Sequence, residues 1–420
     1  MTTDYRHPDY ERMAPLWTKV RDACAGEDAI KAKSTVYLPD PSEGMERDRD
    51  YQKARYAAYL QRAVYFNATG RTLNALVGIA YANWPQFKLS PRYDYLLRDA
   101  DMSGVGLINQ SQGVLAEILQ TGRAGLLTDA TAMDETAMQR TMSIAQWEAL
   151  GGRNVVVAYK ADQILTWELD GSRLVRLVLL ETHLDYSSGE VDEVRQLREL
   201  TMRDGRCHVA LWREVDSGKF VKVLDKPTSF EEIPFQFVGA VSNSAHPDQP
   251  PMLDLANLNL AHYRNSADFE ESAFLTGQPQ MVMSGVDEEW MEKAGRVYLG
   301  ARSALPLPQG ATAQLLQAQP NTLAQTAMEK KEGMMAALGA RLLAQTGQPM
   351  TATQSAAETK TSYSALSLAC DNLSEAYTRA LQVLDPNADF AIDTRFNDLM
   401  LDAEAIRETV AAWQAGLVPA

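Results

Sequence analysis

The side chains of this 420-residue chain that could do chemistry are carboxylate clusters, a lysine pair, five histidines and three cysteines. Carboxylates gather at Asp99/Asp101, Glu270-Glu271 and Asp287-Glu288-Glu289. Brought together by a fold, such groups could hold two metal ions and cleave a phosphodiester. Held apart, they solvate helix faces, and Asp287-Glu288-Glu289 stands where a helix start favours negative charge. Lys330-Lys331, with Arg341 and Lys360 further on, could make sparse phosphate contacts. They could equally form a solvated face beside Glu329 and Glu332.

The patterns that would commit the chain to a reaction are missing from the sequence. There is no HExxH, no GxSxG and no zinc-deaminase signature. Gly218-Lys219 is followed by Phe220, so it reads as a hairpin turn and not as a phosphate loop. Gly104-Val105-Gly106 lacks the third glycine and preceding strand of a dinucleotide site and reads as helix packing. His7, His183, His208, His246 and His262 are scattered. Cys24, Cys207 and Cys370 are odd in number without a CxxC pair, so they read as buried thiols. No cofactor, no metal and no enzymatic activity are expected.

The elements that carry these residues fall into three stretches. Residues 1–85 read as helical, with an extended start at Tyr5–Tyr10, a helix over 13–25 stopped by Gly26, a turn at Tyr37-Leu38-Pro39-Asp40-Pro41, and a long helix over 48–82. A helix over 102–119 ends at Gly122-Arg123-Ala124-Gly125, and 126–129 reads as a short buried strand. From 153 to 240 the period changes. Seven short runs rich in Val, Leu, Trp and Phe (154–159, 164–168, 174–181, 194–201, 208–214, 219–224 and 233–238) are separated by Gly, Asp and Ser. Their turns are too short for parallel crossovers, which predicts an antiparallel meander.

The C-terminal half is dominated by long helices. In 252–275, Leu253, Ala256, Leu260, Tyr263, Ala267 and Phe274 form an apolar stripe opposite Asp254, Asn257, Arg264, Asp268 and Glu271. An insert over 280–318 reads strand (280–284), helix (288–294), strand (297–299) and strand (313–316). Pro320 then opens a helix to about 346. After a break at Thr346-Gly347-Gln348-Pro349, a helix to 384 alternates Ala356, Thr359, Tyr363, Leu366, Cys370, Leu373, Tyr377, Ala380 and Leu384 by threes and fours. At about 1.5 Å per residue these three helices span roughly 36–46 Å, the length of struts or spacers. A last helix is predicted over 399–415.

Composition limits the function. The chain is 45% hydrophobic and 23% charged, as in a globular protein of two or three domains. A formal net charge of −15 argues against tight general DNA binding, which needs clustered Lys and Arg. An acidic wall past which DNA moves without sticking is compatible with it. No apolar run approaches the roughly 18–20 residues that span a bilayer. Residues 1–8 lack the apolar core of a signal peptide. Folding in a cytoplasm without a membrane partner is expected.

Several segments resemble a family of tailed-bacteriophage portal proteins. They are Tyr5-Arg6-His7-Pro8-Asp9-Tyr10; Trp17 with Arg21-Asp22 and Gly26; Tyr37-Leu38-Pro39; and Arg62-Ala63-Val64-Tyr65-Phe66-Asn67. The 73–78 segment and the stretch from Tyr159 to Trp167 continue the likeness, and Gly122-Arg123-Ala124-Gly125-Leu126-Leu127-Thr128-Asp129 is similar to the family's Gly-Arg-x-Gly-Leu-Leu-x-Asp. The helix–insert–helix–loop–helix order is similar to portals generally.

The resemblance implies an α+β, mainly helical fold. Residues 1–250 would be a wing, helical to about 125 and β-rich over 126–240. Stem helices at 252–275 and 320–345 would flank a small α/β clip at 276–318. A tunnel loop would follow at 346–353, a spine helix at 354–384, and a short or truncated crown at 385–420. It further implies a homo-oligomeric ring of about twelve subunits closed by head-to-tail contacts, placed at one vertex of the virion capsid. Double-stranded viral DNA would pass through it without sequence specificity during packaging and ejection. Its protein partners would be the terminase large subunit, the major capsid and scaffolding proteins, and a head–tail adaptor. DNA contacts would fall on Gln345, Thr346, Gly347, Gln348, Pro349, Thr351, Thr353 and Gln354 of the tunnel loop and on Lys330 and Lys331. Clip contacts would fall on Asp287, Glu288, Glu289 and Trp290. Another virion component, such as an adaptor or minor capsid protein, and a metal-dependent nuclease stay open as alternatives.

Overall fold

The computed structural model describes residues 5–41, 49–131, 152–185, 191–277, 280–294, 307–316, 322–343, 364–394 and 403–417, together with Gln146 and Gly189. The chain is α+β with antiparallel sheets and divides into two compact units. The first comprises residues 1–29, 67–259 and 333–420, the second 30–66 and 260–332. Residues 30–66 fall in the second unit, while 1–29 and 67–250 fall in the first.

In the first unit, α1 (Pro8–Ala25) starts at a proline whose missing N–H costs nothing in a first turn. His7, extended, caps it, with Nδ1 accepting from the Asp9 N–H at 3.1 Å. The helix thus begins five residues before the predicted 13, because Pro8 constrains the residue before it and itself fits the helix. Gly26 closes it at φ 102°. Tyr10, Met13, Trp17, Val20 and Ala23 form its buried face. The helix predicted over 48–82 is two helices, α3 (Arg49–Arg62) and α4 (Ala68–Ala80). Asn67 begins α4 anew, its Oδ1 accepting from the Gly70 N–H at 2.8 Å. α2 (Glu27–Ala32) lies between α1 and α3 in sequence.

The helix expected over 102–119 is α5 (Leu107–Thr121), preceded by a 3₁₀ segment, Pro91–Leu97. Gly122 ends α5 in the left-handed region at φ 71°. The next residue already starts β2 (Arg123–Thr131), twice as long as the predicted strand. β2 is the middle of a three-stranded sheet between β3 (Arg153–Lys160) and β9 (Phe235–Gly239). Gly125 is required there because the Phe235 ring occupies the space of a Cβ. The single meander is corrected accordingly: its first and last runs join β2. The five between them, β4 (Ile164–Asp170), β5 (Arg173–Asp185), β6 (Asp192–Arg203), β7 (Arg206–Asp216) and β8 (Lys219–Pro227), pair in sequence order as one sheet.

The first unit is completed by α9 (Ala365–Gln382) and α10 (Ala403–Ala415). It also holds a small sheet of β1 (Gln86–Lys88) with β12 (Asp389–Ala391), which sequence reading missed. α9 packs on β9, β2 and α5, burying Leu366, Cys370, Leu373, Tyr377 and Ala380 as the seam predicted. The seam's Ala356, Thr359 and Tyr363 lie outside the described residues, and Leu384 lies beyond the helix. Thr128 Oγ1 donates to the Ala380 carbonyl at 2.7 Å, tying β2 to α9.

At the centre of the first unit lies Arg123, 1% exposed. Its guanidinium sits over the rings of Trp167 (4.1 Å) and Phe237 (4.4 Å). Nη1 donates to the Ala245 carbonyl at 2.7 Å, while Nε and Nη2 meet no partner among the described residues. His7 stacks on Trp167 at 4.0 Å. Burial lowers the Arg123 pKa, and the negative charges of Asp9 and Asp248 work against that shift. A second buried network joins the two sheets. Glu181 Oε1 accepts from Tyr159 Oη (2.6 Å) and Arg198 Nε (2.7 Å), and Arg198 Nη1 donates to Asp129 Oδ2 at 2.8 Å. Burial opposes ionisation of Glu181, but Arg198, Tyr159 and Gln196 outweigh it and hold its carboxyl below the usual range.

The second unit packs α3 and the 34–41 turn against the later part of α6 (Leu253–Thr276). It also carries the hairpin β10 (Gln280–Ser284)–β11 (Thr312–Leu316), α7 (Glu288–Ala294) and the start of α8 (Thr322–Leu343). The predicted strand 297–299 lies outside the described residues. The core is Ile30, Tyr37, Leu38, Tyr59, Ala63, Tyr65, Leu260, Tyr263 and Ala267.

Replacing Arg123 with Met removes the cation and leaves the Ala245 carbonyl without its donor. We expect a loss of about 3 kcal/mol in urea denaturation, the scale of a disrupted buried polar site. Arg123→Lys, which loses the planar stacking, should fall between. A loss below about 1 kcal/mol for Arg123→Met, within the reach of a lone exposed pair, would remove this residue from the centre of the fold.

Candidate functional site

The carboxylate clusters resolve into caps and pairs. Asp287 Oδ1 accepts from the Trp290 N–H at 2.8 Å and caps α7. Asp287, Glu288 and Glu289 are exposed and Trp290 is half-buried. Asp101 accepts from the Ser103 N–H (3.0 Å) and from Gln110 Nε2 (3.3 Å), and Asp99 from the Gly104 N–H (3.0 Å). Glu271 pairs with Arg62. Among the described residues no group of His, Cys, Asp or Glu is arranged to hold a metal ion.

The glycine and thiol readings resolve in the same way. Gly106 stands at the start of α5, where a Cβ would collide with the Leu97 carbonyl. Gly218 turns β7 into β8 at φ 77°. Cys207 and Cys370 are buried and Cys24 is half-buried. Burial pushes Cys24 up to about 12 and Cys207 to about 11, and raises Cys370 as well. Such thiols are poor nucleophiles.

The structure draws together a different set of residues on the second unit's helices. α6 spans roughly 36 Å and α8 roughly 33 Å at 1.5 Å per residue. The expected stripe holds at Ala256, Leu260, Tyr263 and Ala267, which are buried. It fails at Phe274, which is 42% exposed. The buried face of α6 is wider than predicted because three polar residues share it: Asn259, His262 and Ser266. Ser266 Oγ accepts from the Val64 N–H (3.0 Å) and donates to the Val64 carbonyl (2.6 Å). Asn259 Oδ1, in the first unit, accepts from the Thr69 N–H (3.0 Å) and Oγ1 (2.8 Å). Their spacing of 259, 262 and 266 was the available signal, since it repeats the turn of the apolar stripe.

Within the second unit, His262 Nε2 lies 3.1 Å from Glu332 Oε1 on α8, and Nδ1 is buried without a hydrogen-bond partner among the described residues. The ring packs near Phe66, 5.8 Å between centroids. Next to it, Lys331 donates to Asn265 Oδ1. Lys331 is half-buried and Lys330 is exposed, so of the predicted phosphate contacts the first is engaged within the unit and the second is open to solvent. Arg341 is exposed. Gln345, Thr346, Gly347, Gln348, Pro349, Thr351, Thr353, Gln354 and Lys360 lie outside the described residues.

Apolar side chains are exposed on the same unit, with the Arg62 guanidinium 4.2 Å from the centroid of the Phe274 ring. Phe274 and Leu275 near the end of α6 are 42% and 56% exposed, Val282 on β10 44%, and Leu323 at the start of α8 81%. No helix among the described residues is long and apolar enough to cross a membrane.

The His262 pKa lies below its ordinary 6.5. Burial disfavours the imidazolium more than the Glu332 hydrogen bond and charge favour it, and Lys331 adds to the depression. The unfolded chain therefore takes up this proton first on acidification. Stability should fall as pH drops through 6.5 toward the lowered value, with the histidine's full penalty present below it. His262→Gln should lose that part of the slope in urea midpoints measured between pH 7.5 and 5. An unchanged slope would remove His262 as its source.

A protein-family model described as a domain of unknown function, DUF4055, matches residues 251–386. A search of curated proteins finds no match. The matched segment runs from just before α6 to just after α9, and so takes in α6, the hairpin with α7, α8 and α9 as one block.

Proposed function

We propose that the chain is a portal subunit. Copies of it form a ring at one capsid vertex, through which double-stranded DNA is packaged and ejected and on which the packaging terminase and tail adaptors dock. The observation that carries this reading is the order of the 251–386 block. A long helix leads into a small hairpin-and-helix insert, a second long helix follows, and a third, Ala365–Gln382, comes later in the block. The match of one family model over that block supports its being a single evolutionary piece.

The surface of the second unit supports the reading further. Phe274, Leu275, Val282 and Leu323 are apolar side chains exposed on the second unit, and burying them would favour association. Neighbouring copies in a ring would cover them, and repeated heterologous contact closes when the rotation per subunit closes. The polar faces of the same helices, carrying the exposed Lys330 in a chain of net charge −15, would touch phosphate without gripping it.

In negative-stain images the purified protein should show rings with a central hole. Monomers alone at high concentration would count against the proposal. Leu275→Glu with Leu323→Glu should abolish rings and leave the thermal midpoint of the monomer within a few degrees, as expected at exposed sites. Deleting 347–351 should preserve rings and impair DNA packaging or retention. Leu373→Asp, which buries a charge on α9 at the cost of several kcal/mol, should yield aggregated protein. Rings that persist with both glutamates in place would remove the apolar residues as the ring contact.

A further inference from the structure

A cleft of about 740 Å³ opens in the first unit beside the Arg123 assembly. Phe235, Gln236 and Phe237 of β9 line it, together with His246, Arg173 at the start of β5 and Arg379 on α9. Among the described residues β9 pairs with β2 on one side and with no strand on the other. The register decides which main-chain groups face that free side. Thr128 N donates to the Pro234 carbonyl at 2.9 Å, and Gln236 stands opposite Leu126, with Phe237 opposite Gly125.

In an antiparallel ladder hydrogen-bonded and non-bonded pairs alternate. Leu126 and Gln236 are then the bonded pair, and the N–H and C=O of Phe237 point away from β2. Two residues along, the same row is closed by side chains: the Gly239 N–H donates to Asn243 Oδ1 and the Gly239 carbonyl accepts from Asn372 Nδ2, each at 3.2 Å. The open length of edge is the part at Phe237, beside the cleft.

Charge identifies what would lie there. The chain as a whole carries −15, yet this rim presents Arg173 and Arg379 against Glu232. Arg173 spends its bond on a neutral group, the Glu231 carbonyl at 2.6 Å. Arg379 shares its charge with Glu375 at 2.5 Å and remains 58% exposed. Leu169, 42% exposed, and the half-buried Leu174 and Val383 give the cleft apolar surface for alternate side chains.

We propose that this cleft takes an extended acidic polypeptide segment as an added strand on β9. Its main chain would bond Phe237, its apolar side chains would rest on Leu169, Leu174 and Val383, and its carboxylates would meet Arg173 and Arg379. Main-chain pairing supplies affinity in such strand addition, and the flanking side chains supply selectivity.

The test uses the full chain and two fluorescein-labelled decapeptides, one alternating Glu and Val, the other Lys and Val. Anisotropy should show saturable binding of the acidic peptide and at least about tenfold weaker binding of the basic one. Arg173→Glu combined with Arg379→Glu should weaken the acidic peptide by at least about tenfold. Both sites are exposed, and circular dichroism would verify that the double variant folds. Hydrogen exchange at the Phe237 amide should slow when the acidic peptide is bound. No saturable binding, equal affinity for the two peptides, indifference to the double substitution, or an unchanged Phe237 amide would each overturn the proposal.

Discussion

A guanidinium withdrawn almost entirely from water is the constraint around which the first unit is arranged. Desolvating such a cation costs several kcal/mol unless its surroundings replace the water. Here two aromatic faces and one carbonyl do so, with Asp9 and Asp248 close enough to matter electrostatically. Each compensating group comes from a different stretch of chain. Trp167 is from β4, Phe237 from β9, Ala245 from the connector before α6, and His7 reaches the assembly through the other aromatic contact on Trp167. The sheets, the connector and the start of α1 are therefore committed to one mutual arrangement. Gly122 and Gly125 flank the arginine because the chain at both points leaves no room for a side chain.

The second unit solves a different problem. Its principal helix buries polar residues along with apolar ones, and each has a specific task. Ser266 satisfies both main-chain groups of Val64 in a segment that belongs to neither helix nor sheet. His262 faces Glu332. A helix held by directional bonds cannot rotate about its axis as easily as one resting on a greasy stripe. That fixes which of its side chains are left outward, and the exposure of Phe274 and Leu275 follows from that choice.

Much of this was legible in the sequence, and the failures have physical causes. The strands between 153 and 239 announced themselves by β-branched and aromatic runs between Asp-Gly and Ser-Gly turns. Their partners did not, because alternation reports that a strand exists and not what it pairs with. So β3 and β9 were assigned to the meander although they belong with β2. Gly122-Arg123-Ala124-Gly125 looked like a break, and half of it is: Gly122 ends a helix, while Gly125 serves an interlocked Phe235. The interruption at 63–67 has no Gly or Pro to mark it. It is imposed by Ser266, 202 residues away from Val64, which no local pattern can encode. Among the candidate site residues, Asp287 was readable as a cap because capping is local. The engagement of Lys331 with Asn265 was not, since it depends on how two distant helices meet.

The path of the chain between the two units has a consequence for its synthesis. The second unit is assembled from residues 30–66 and 260–332, and the first from three stretches that extend past residue 333. A ribosome that has released the first half of the polypeptide has therefore finished neither. Residues 30–66 emerge early, carrying Tyr37, Leu38, Tyr59 and Tyr65, whose packing partners on α6 are still some two hundred codons away. Those aromatic rings stay without their native partners until the later helix is made, so neither unit can complete its core early in synthesis.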